Sequence, residues 1–129
     1  MVEPIPVAVE EAGARLLDAA YRVHKNLGPG LLESVYETCA CHELIKMGVS
    51  FQRQLCLPLN YDGVLIETGL RFDLLVEDLV IGELKAIEGL LPVHEAQILT
   101  YLKLTNKRLG FLINFNVPLL KNGIKRIVR

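Results

Sequence analysis

The segment Arg71 to Lys85 reads RFDLLVEDLVIGELK, and it decides the fold. Two apolar runs rich in Leu, Val and Ile flank Glu77-Asp78, a polar pair typical of a tight turn. The pattern therefore predicts an antiparallel hairpin. Asp73 and Glu83 stand at similar distances from the turn, so symmetric pairing would place them opposite each other.

Charged side chains interrupt this apolar hairpin at Asp73, Glu83 and Lys85. Glu83 and Lys85 are two residues apart on a strand and so share one face. Two carboxylates and an ammonium group would then meet in a partly buried setting, where unpaired charge is costly. A divalent cation relieves repulsion between carboxylates, and Mg²⁺ often binds one or two of them with waters and a phosphate. The cluster suits phosphodiester hydrolysis, with the lysine acting on the attacking water. The spacing also fits a salt-bridged trio that only ties the two strands together.

Helical and strand patterns extend outward from the hairpin in both directions. The predicted helices cover residues 8–26, 31–47 and 92–105, and the predicted strands cover 49–61, 64–76 with a bulge at Gly69, 79–86, 110–115 and 124–128. On the third helix, the residues predicted to face inward are Ala96, Ile98, Leu99 and Leu102. The order α-α-β-β-β-α-β-β indicates an α/β (α+β) fold, a mixed sheet with helices packed on it. A chain of 129 residues fits a single domain, 1–129.

Composition and charge exclude some classes of protein. The net charge of -1 excludes a histone-like chain held on nucleic acid by bulk charge. The charge is uneven, however, because all 15 acidic residues precede a basic C-terminal region, which holds Lys103, Lys107, Arg108, Lys121, Lys125, Arg126 and Arg129. Such a region can form a phosphate-binding face, or it can balance acids elsewhere in the fold.

No segment predicts export or insertion into a membrane. The first residues lack the basic and apolar regions of a signal peptide, and the longest charge-free apolar stretch, 109–120, is too short to span a bilayer. Cys39, Cys41 and Cys56 show neither a disulfide framework nor zinc-ligand spacing. We therefore expect a cytoplasmic protein with reduced, mostly buried thiols.

Polar residues outside the hairpin are candidates to join the charged cluster. Gln97 and Tyr101 lie at i and i+4 on one helix face, where both could contact a phosphate or a water. Glu33 lies in the first turn of the second helix, where it either complements the helix dipole or adds a third carboxylate. His94 could reach a phosphate, or cap or pack the start of the third helix, and His24 is expected to complement the dipole at the end of the first.

Several short motifs, in this order, resemble the GxxExxY proteins, a branch of the PD-(D/E)xK nuclease superfamily. They are LGPGLLESVYE at 27–37, Arg71-Phe72-Asp73, Glu83-Leu84-Lys85-Ala86, the set His94, Gln97 and Tyr101, and GFLINF at 110–115. The resemblance implies a restriction-endonuclease-like core, a central mixed sheet flanked by helices. It implies that Asp73 and Glu83 bind Mg²⁺ or Mn²⁺ together with the backbone carbonyl of Leu84. It also implies that Lys85 is the catalytic lysine and that Glu33, Gln97 and Tyr101 complete the catalytic site, with Glu33 reaching the metal through water.

Three functions fit these observations. The first is metal-dependent cleavage of nucleic acid, DNA rather than RNA, with the basic C-terminal region holding the backbone. The second is a catalytically silent nuclease-fold module that binds nucleic acid or a protein partner, which the modest net charge and the absence of Trp favour. The third is a charge cluster that only contributes stability, in a homodimeric protein of unrelated role whose chains could pair through the tail formed by Leu119-Leu120 and residues 124–128.

Overall fold

The structure, a computed structural model, describes residues 3–129, so Met1 and Val2 of the predicted domain lie outside the described residues. Its elements are α1 (Val7–Leu27), α2 (Glu33–Lys46), β1 (Phe51–Tyr61), β2 (Val64–Val76), β3 (Val80–Lys85), α3 (Pro92–Thr105), β4 (Leu109–Asn114), a short 3-10 helix (Leu120–Gly123) and β5 (Ile124–Val128). The predicted order of helices and strands is confirmed, and the 3-10 helix is the addition.

The five strands form one mixed sheet in the order β1-β2-β3-β4-β5. Neighbouring strands pair antiparallel except β3 and β4, which pair in parallel. The parallel pair follows from α3, because the chain must cross over between the end of β3 and the start of β4. The predicted mixed α/β sheet with flanking helices is therefore confirmed. The register of β1 and β2 shifts between the pairs Leu57↔Leu70 and Leu59↔Ile66, which brackets the bulge predicted at Gly69.

Apolar side chains cover both faces of the sheet. On one face α1 and α2 pack against residues such as Leu74 and Leu84, and we call this cluster the α1–α2 core. On the other face α3 packs against residues such as Phe72 and Ile81, which form the α3 core. The burial of β3 and β4 between these two cores explains the apolar character of both strands, which Glu83 and Lys85 interrupt at the end of β3.

The inward face of α3 was only partly predicted. Ile98 and Leu102 are fully buried, whereas Leu99 is 48% exposed and Ala96 is exposed as well. The prediction for Ala96 and Leu99 is therefore wrong. Apolar residues occur on all sides of this helix, among them the exposed Val93, so a helical period does not single out one face.

The cysteines agree only in part with the expectation of mostly buried thiols. All three cysteines are free, with Cys41 buried and Cys39 partly buried, but Cys56 is exposed, contrary to the expectation of burial. None of the helices within residues 3–129 has the length and apolar character needed to cross a bilayer.

Strands β1 and β2 both turn over at one point, where Gln54 and Asp73 lie opposite each other. On the two sides of this point each strand presents a different set of alternate side chains to a given helix layer. In β2, Phe72 belongs to the α3 core and Leu74 to the α1–α2 core, although residues two apart in a regular strand share a face. The strand therefore turns over at Asp73. Gln54 lies opposite Asp73 in β1, between the pairs Arg53↔Leu74 and Leu55↔Phe72, and its φ of 52° is left-handed.

Candidate active site

The candidate site lies at a fork between β2 and β3. Backbone pairing of these strands ends at Leu74↔Gly82. Beyond that pair the carboxylates replace the carbonyls as acceptors: the Asp73 N–H donates to Glu83 Oε1 at 3.2 Å, and the Leu84 N–H donates to Asp73 Oδ2 at 2.8 Å. Each acid is thus held by the backbone of the other strand, and Asp73 and Glu83 lie together as the symmetric hairpin predicts.

A cavity of about 610 Å³ opens at this fork. Most of the residues predicted from the sequence line it, namely Glu33, Asp73, Glu83, Gln97 and Tyr101. The lining also includes residues that were not predicted for the site, namely Ser34, Glu37, Gln54 and Arg71. The structure therefore gathers side chains from α2, α3 and the first three strands around the two carboxylates.

Lys85 lies at the end of β3, partly buried and outside the lining of the cavity. In the part of the chain that the structure describes, no carboxylate oxygen lies within 4.0 Å of its ammonium group. Its charge still reaches the site, since it opposes the effect of burial, which raises the pKa values of Glu33 and Glu83. The salt-bridged trio considered from the sequence is therefore not formed.

Burial and repulsion dominate the electrostatics of Glu83. Its side chain is 6% exposed, and burial together with the negative charge of Asp73 raises the pKa of Glu83 to about 8. Burial also raises the pKa of Glu33, with Asp73 and Glu37 adding to the effect and Lys85 opposing it. A proton on Glu83 relieves its repulsion from Asp73 at neutral pH, and a divalent cation would serve the same purpose.

The oxygen donors at the fork suit a hard divalent cation. Besides the two carboxylates, the Leu84 carbonyl faces this side. The Lys85 carbonyl accepts from the Phe115 N–H at 2.8 Å on the β4 side, and successive peptide groups of a strand point to opposite neighbours. Within residues 3–129, no group of three or more His, Cys, Asp or Glu side chains forms a ready-made metal site. Two carboxylates and a carbonyl match Mg²⁺, which keeps several of its waters.

The glycine turn before α2 places Glu33 at the cavity. Gly28 and Gly30 adopt positive φ values of 68° and 99°, which favour glycine. The Tyr36 hydroxyl donates to the Gly28 carbonyl at 2.6 Å and accepts from the Leu31 N–H at 3.1 Å. This pair of bonds ties the turn to α2, so that Glu33 occupies the first helical turn and also lines the cavity.

Helix α3 supplies Gln97 and Tyr101 to the opposite wall. Gln97 Nε2 donates to the Tyr101 hydroxyl at 3.1 Å, and the Tyr101 ring packs against Phe72 with centroids 5.1 Å apart. His94 does not line the cavity; its Nδ1 accepts from the Leu91 N–H at 2.9 Å and caps the helix. His24 Nε2 lies 2.7 Å from the Val117 carbonyl oxygen, so this histidine holds the segment after β4 as well as lying at the end of α1.

A polar network of residues missed by the sequence analysis surrounds Asp73. Glu37, only 7% exposed, accepts from Arg53 Nε and from Gln54 Nε2, both at 2.6 Å. Gln54 Nε2 also lies 3.3 Å from Asp73 Oδ1, and Gln54 Oε1 accepts from Arg71. Glu37 carried a usable signal, because it follows Glu33 by one helical turn. Gln54 carried none, since nothing in its residue type predicts a left-handed conformation within a strand.

The basic C-terminal region is largely engaged in contacts within the fold. Arg126 pairs with Glu10 at 2.8 Å, and Lys107 pairs with Asp78 at 3.5 Å. Arg108 donates to the backbone carbonyls of Glu3 and Arg129. None of these basic residues lines the cavity. Charge balance within the fold therefore accounts for Arg126 and Lys107, and Arg108 ties the two ends of the described chain together through backbone carbonyls.

Comparison with known proteins identifies the superfamily. The family model described as the PD-(D/E)XK nuclease superfamily matches residues 10–127. The chain belongs to the PD-(D/E)XK nuclease superfamily. No curated protein and no solved structure matches it. The PD-(D/E)XK assignment agrees with the restriction-endonuclease-like fold expected from the sequence, a mixed five-stranded sheet with helices on both faces.

Proposed function

We propose that this PD-(D/E)XK domain, residues 1–129, hydrolyses phosphodiester bonds of nucleic acid, DNA rather than RNA, using Mg²⁺ or Mn²⁺. The observation that carries the proposal is the fork, where Asp73 and Glu83 replace strand pairing with carboxylates that face an open cavity. Such an arrangement costs stability in a sheet, because buried like charges repel each other, and binding of a cation compensates for that cost.

Asp73 and Glu83 are the proposed metal ligands, together with the Leu84 carbonyl. Glu33 lines the same cavity and would reach the metal through water. When bound, Mg²⁺ withdraws charge from a phosphate oxygen and stabilises the negative charge that develops in the transition state. Glu83 must release its proton for this binding, since ligand carboxylates are ionised.

Lys85 is the proposed catalytic lysine. It follows Glu83 by two residues on β3 and has no carboxylate within 4.0 Å among the residues described, so no ion pair has to break before its ammonium group acts on a substrate. A lysine so placed can orient the attacking water and exchange a proton with it. Gln97 and Tyr101 present an amide and a hydroxyl to the cavity, and we propose that both donate to oxygens of the scissile phosphate.

We also assign the chain to the GxxExxY branch of the superfamily. The structure supplies a physical reason for that spacing. Gly30 allows the turn, Tyr36 ties the turn to α2, and Glu33 between them faces the cavity. The three residues of the motif thus act together to hold the carboxylate of Glu33 at the cavity.

Cleavage assays with matched variants test the proposal. Plasmid, linear and single-stranded DNA, and RNA, are incubated with Mg²⁺ or with EDTA. We expect cleavage of DNA only with Mg²⁺, and a loss of at least about 100-fold in rate for Asp73→Asn and Lys85→Ala. Asp18→Asn, which changes an exposed acid of α1, should cleave normally. Equal cleavage by Lys85→Ala would contradict the mechanism. Binding of DNA without cleavage by the unaltered protein would instead support the catalytically silent module.

A further inference from the structure

Among the described residues Arg71 has no counter-ion, although it lines a cavity that also contains four carboxylates. Those carboxylates belong to Glu33, Glu37, Asp73 and Glu83. Across residues 3–129, no carboxylate oxygen lies within 4.0 Å of the Arg71 guanidinium group, which donates instead to the neutral amide oxygen of Gln54. An arginine close to several acids ordinarily pairs with one of them, so this arrangement requires a cause.

Gln54 supplies the cause, because its amide group separates Arg71 from the acids. The NH₂ group of the amide donates to Glu37 and Asp73, and its oxygen accepts from Arg71. The second oxygen of Glu37 is taken by Arg53. The orientation of the amide is therefore defined at both ends. The left-handed backbone of Gln54, φ 52°, is rare for a residue other than glycine and costs free energy, which is typical of functional sites.

Arg71 is also accessible. Its side chain is exposed at the mouth of the cavity, and only one of its five N–H donors has a partner among the described residues. Arg53, the other arginine of this network, is committed to Glu37 and to the Thr38 hydroxyl at 2.9 Å. Of the arginines of this network among residues 3–129, Arg71 is thus the one whose N–H groups are left to bind an incoming anion.

We propose that Arg71 binds a backbone phosphate of the nucleic acid beside the scissile phosphate, and that Gln54 keeps its guanidinium group available by holding it away from Glu37 and Asp73. The planar guanidinium group offers paired donors that match a phosphate. The proposal rests on the proposed function, because it takes nucleic acid as the ligand.

Binding of a short fluorescein-labelled DNA duplex, measured by anisotropy at several NaCl concentrations, tests this role. The Lys85→Ala background with Mg²⁺ keeps the probe intact. We expect Arg71→Gln to weaken binding about 10-fold and to reduce the slope of log K against log salt by about 0.9, the loss of one phosphate contact. Arg71→Lys should restore the slope, because it restores the charge. Arg15→Gln, which removes the same charge from an exposed site on α1, should leave both values unchanged.

The part assigned to Gln54 is tested by a double-mutant cycle. In Gln54→Leu the amide that separates Arg71 from Glu37 and Asp73 is lost, and Arg71 is free to pair with one of these acids. We therefore expect a loss of affinity for DNA similar to that of Arg71→Gln. The double variant should then bind no more weakly than either single variant. Independent, additive losses would overturn the role of Gln54, and an unchanged salt slope in Arg71→Gln would overturn the role of Arg71.

The same measurements separate this proposal from the proposed function. A protein whose salt slope depends on Arg71 but which never cleaves DNA contradicts the hydrolase and keeps Arg71 as a phosphate ligand. A protein that cleaves DNA, with rate and slope unaffected by Arg71→Gln, keeps the hydrolase and overturns the phosphate ligand. Failure of the background protein to bind the probe overturns the Arg71 proposal.

Discussion

Glu83 shows how the site depends on the environment of a single side chain. Its carboxyl group is buried and lies next to the negative charge of Asp73, and these two effects raise its pKa to about 8, although the accepted backbone N–H favours the ionised form. The acid is therefore protonated over part of the pH range in which an ordinary glutamate is ionised. Its environment favours either a proton or a cation at the fork.

We expect the stability of the metal-free protein to fall as the pH rises from about 4.5 to about 8. The pKa of Glu83 is higher in the folded state than in the unfolded state, so the folded protein binds more protons in this window. The contribution of Glu83 is complete below its unfolded pKa and is lost as the pH rises through its folded pKa. Urea unfolding in EDTA at several pH values measures the effect.

Glu83→Gln is the control for this dependence. The amide has nearly the same shape and does not titrate, so the variant should show a weaker dependence of stability on pH in the same window. The same slope in both proteins would show that Glu83 is ionised on folding and would contradict the account of the fork.

The positions of Asp73 and Glu83 were predictable because a short hairpin pairs residues symmetrically about its turn. The partners of Asp73 were not. Gln54 contacts Asp73 from a left-handed backbone conformation, at the point where β1 turns over. Arg71 is held at the cavity by its hydrogen bond to Gln54. Strand periodicity describes regular pleating and carries no information about where a strand turns over.

At the scale of elements, the turn between α1 and α2 and the ring of Tyr36 form one unit. The ring is fully buried and stacks on Phe115 with centroids 4.5 Å apart. Its hydroxyl satisfies one carbonyl and one N–H of the glycine turn. We infer that the hydroxyl stabilises the start of α2, because this helix has no side-chain cap at its first residue.

We expect Tyr36→Phe to lower the free energy of unfolding by about 1–2 kcal/mol, since the two backbone groups lose their partner while the stacked ring remains. Urea denaturation measures the change. Tyr21→Phe is the matched control, because Tyr21 is 43% exposed on α1, and a surface change of this kind costs less than about 0.5 kcal/mol. Equal stability of the two variants would show that the hydroxyl does not hold the turn.

Helix and strand types were predicted more securely than faces. α1 has a clear apolar stripe, and its bounds agree with the prediction within one residue at each end. α3 is apolar on several sides, so that Ala96 and Leu99 were wrongly placed inward. The side of α3 that is buried depends on the orientation in which the crossover between β3 and β4 places the helix on the sheet. The apolar period of the helix does not specify this orientation.

On the scale of the whole molecule, the strands of the sheet differ in how far neighbouring strands and helices bury them. β4 is buried along its whole length, between strands on both sides and helices on both faces. The hairpin of β1 and β2 extends past the fork, whereas the pairing of β2 with β3 stops at Leu74↔Gly82. At its tip Tyr61 is 70% exposed and Val64 is 60% exposed. A two-stranded ribbon with little burial is only marginally stable in water.

We therefore expect hydrogen exchange to be fastest at the tip of this hairpin, around residues 60–66, and slowest in β4. Amide exchange followed by mass spectrometry measures the gradient. Protection of the tip equal to that of β4 in the isolated protein would contradict the account, because it would require a contact that covers the tip.

Binding of a divalent cation at the fork is the claim on which the proposed chemistry depends. Titration calorimetry with Mg²⁺ and Mn²⁺ at pH 7, in buffers of different ionisation enthalpy, measures the affinity and the protons released. We predict one site per chain and release of close to one proton, from Glu83, with binding lost in Asp73→Asn and retained in Asp18→Asn. Binding unaffected by Asp73→Asn, or no binding by the unaltered protein, would contradict a metal site at the fork.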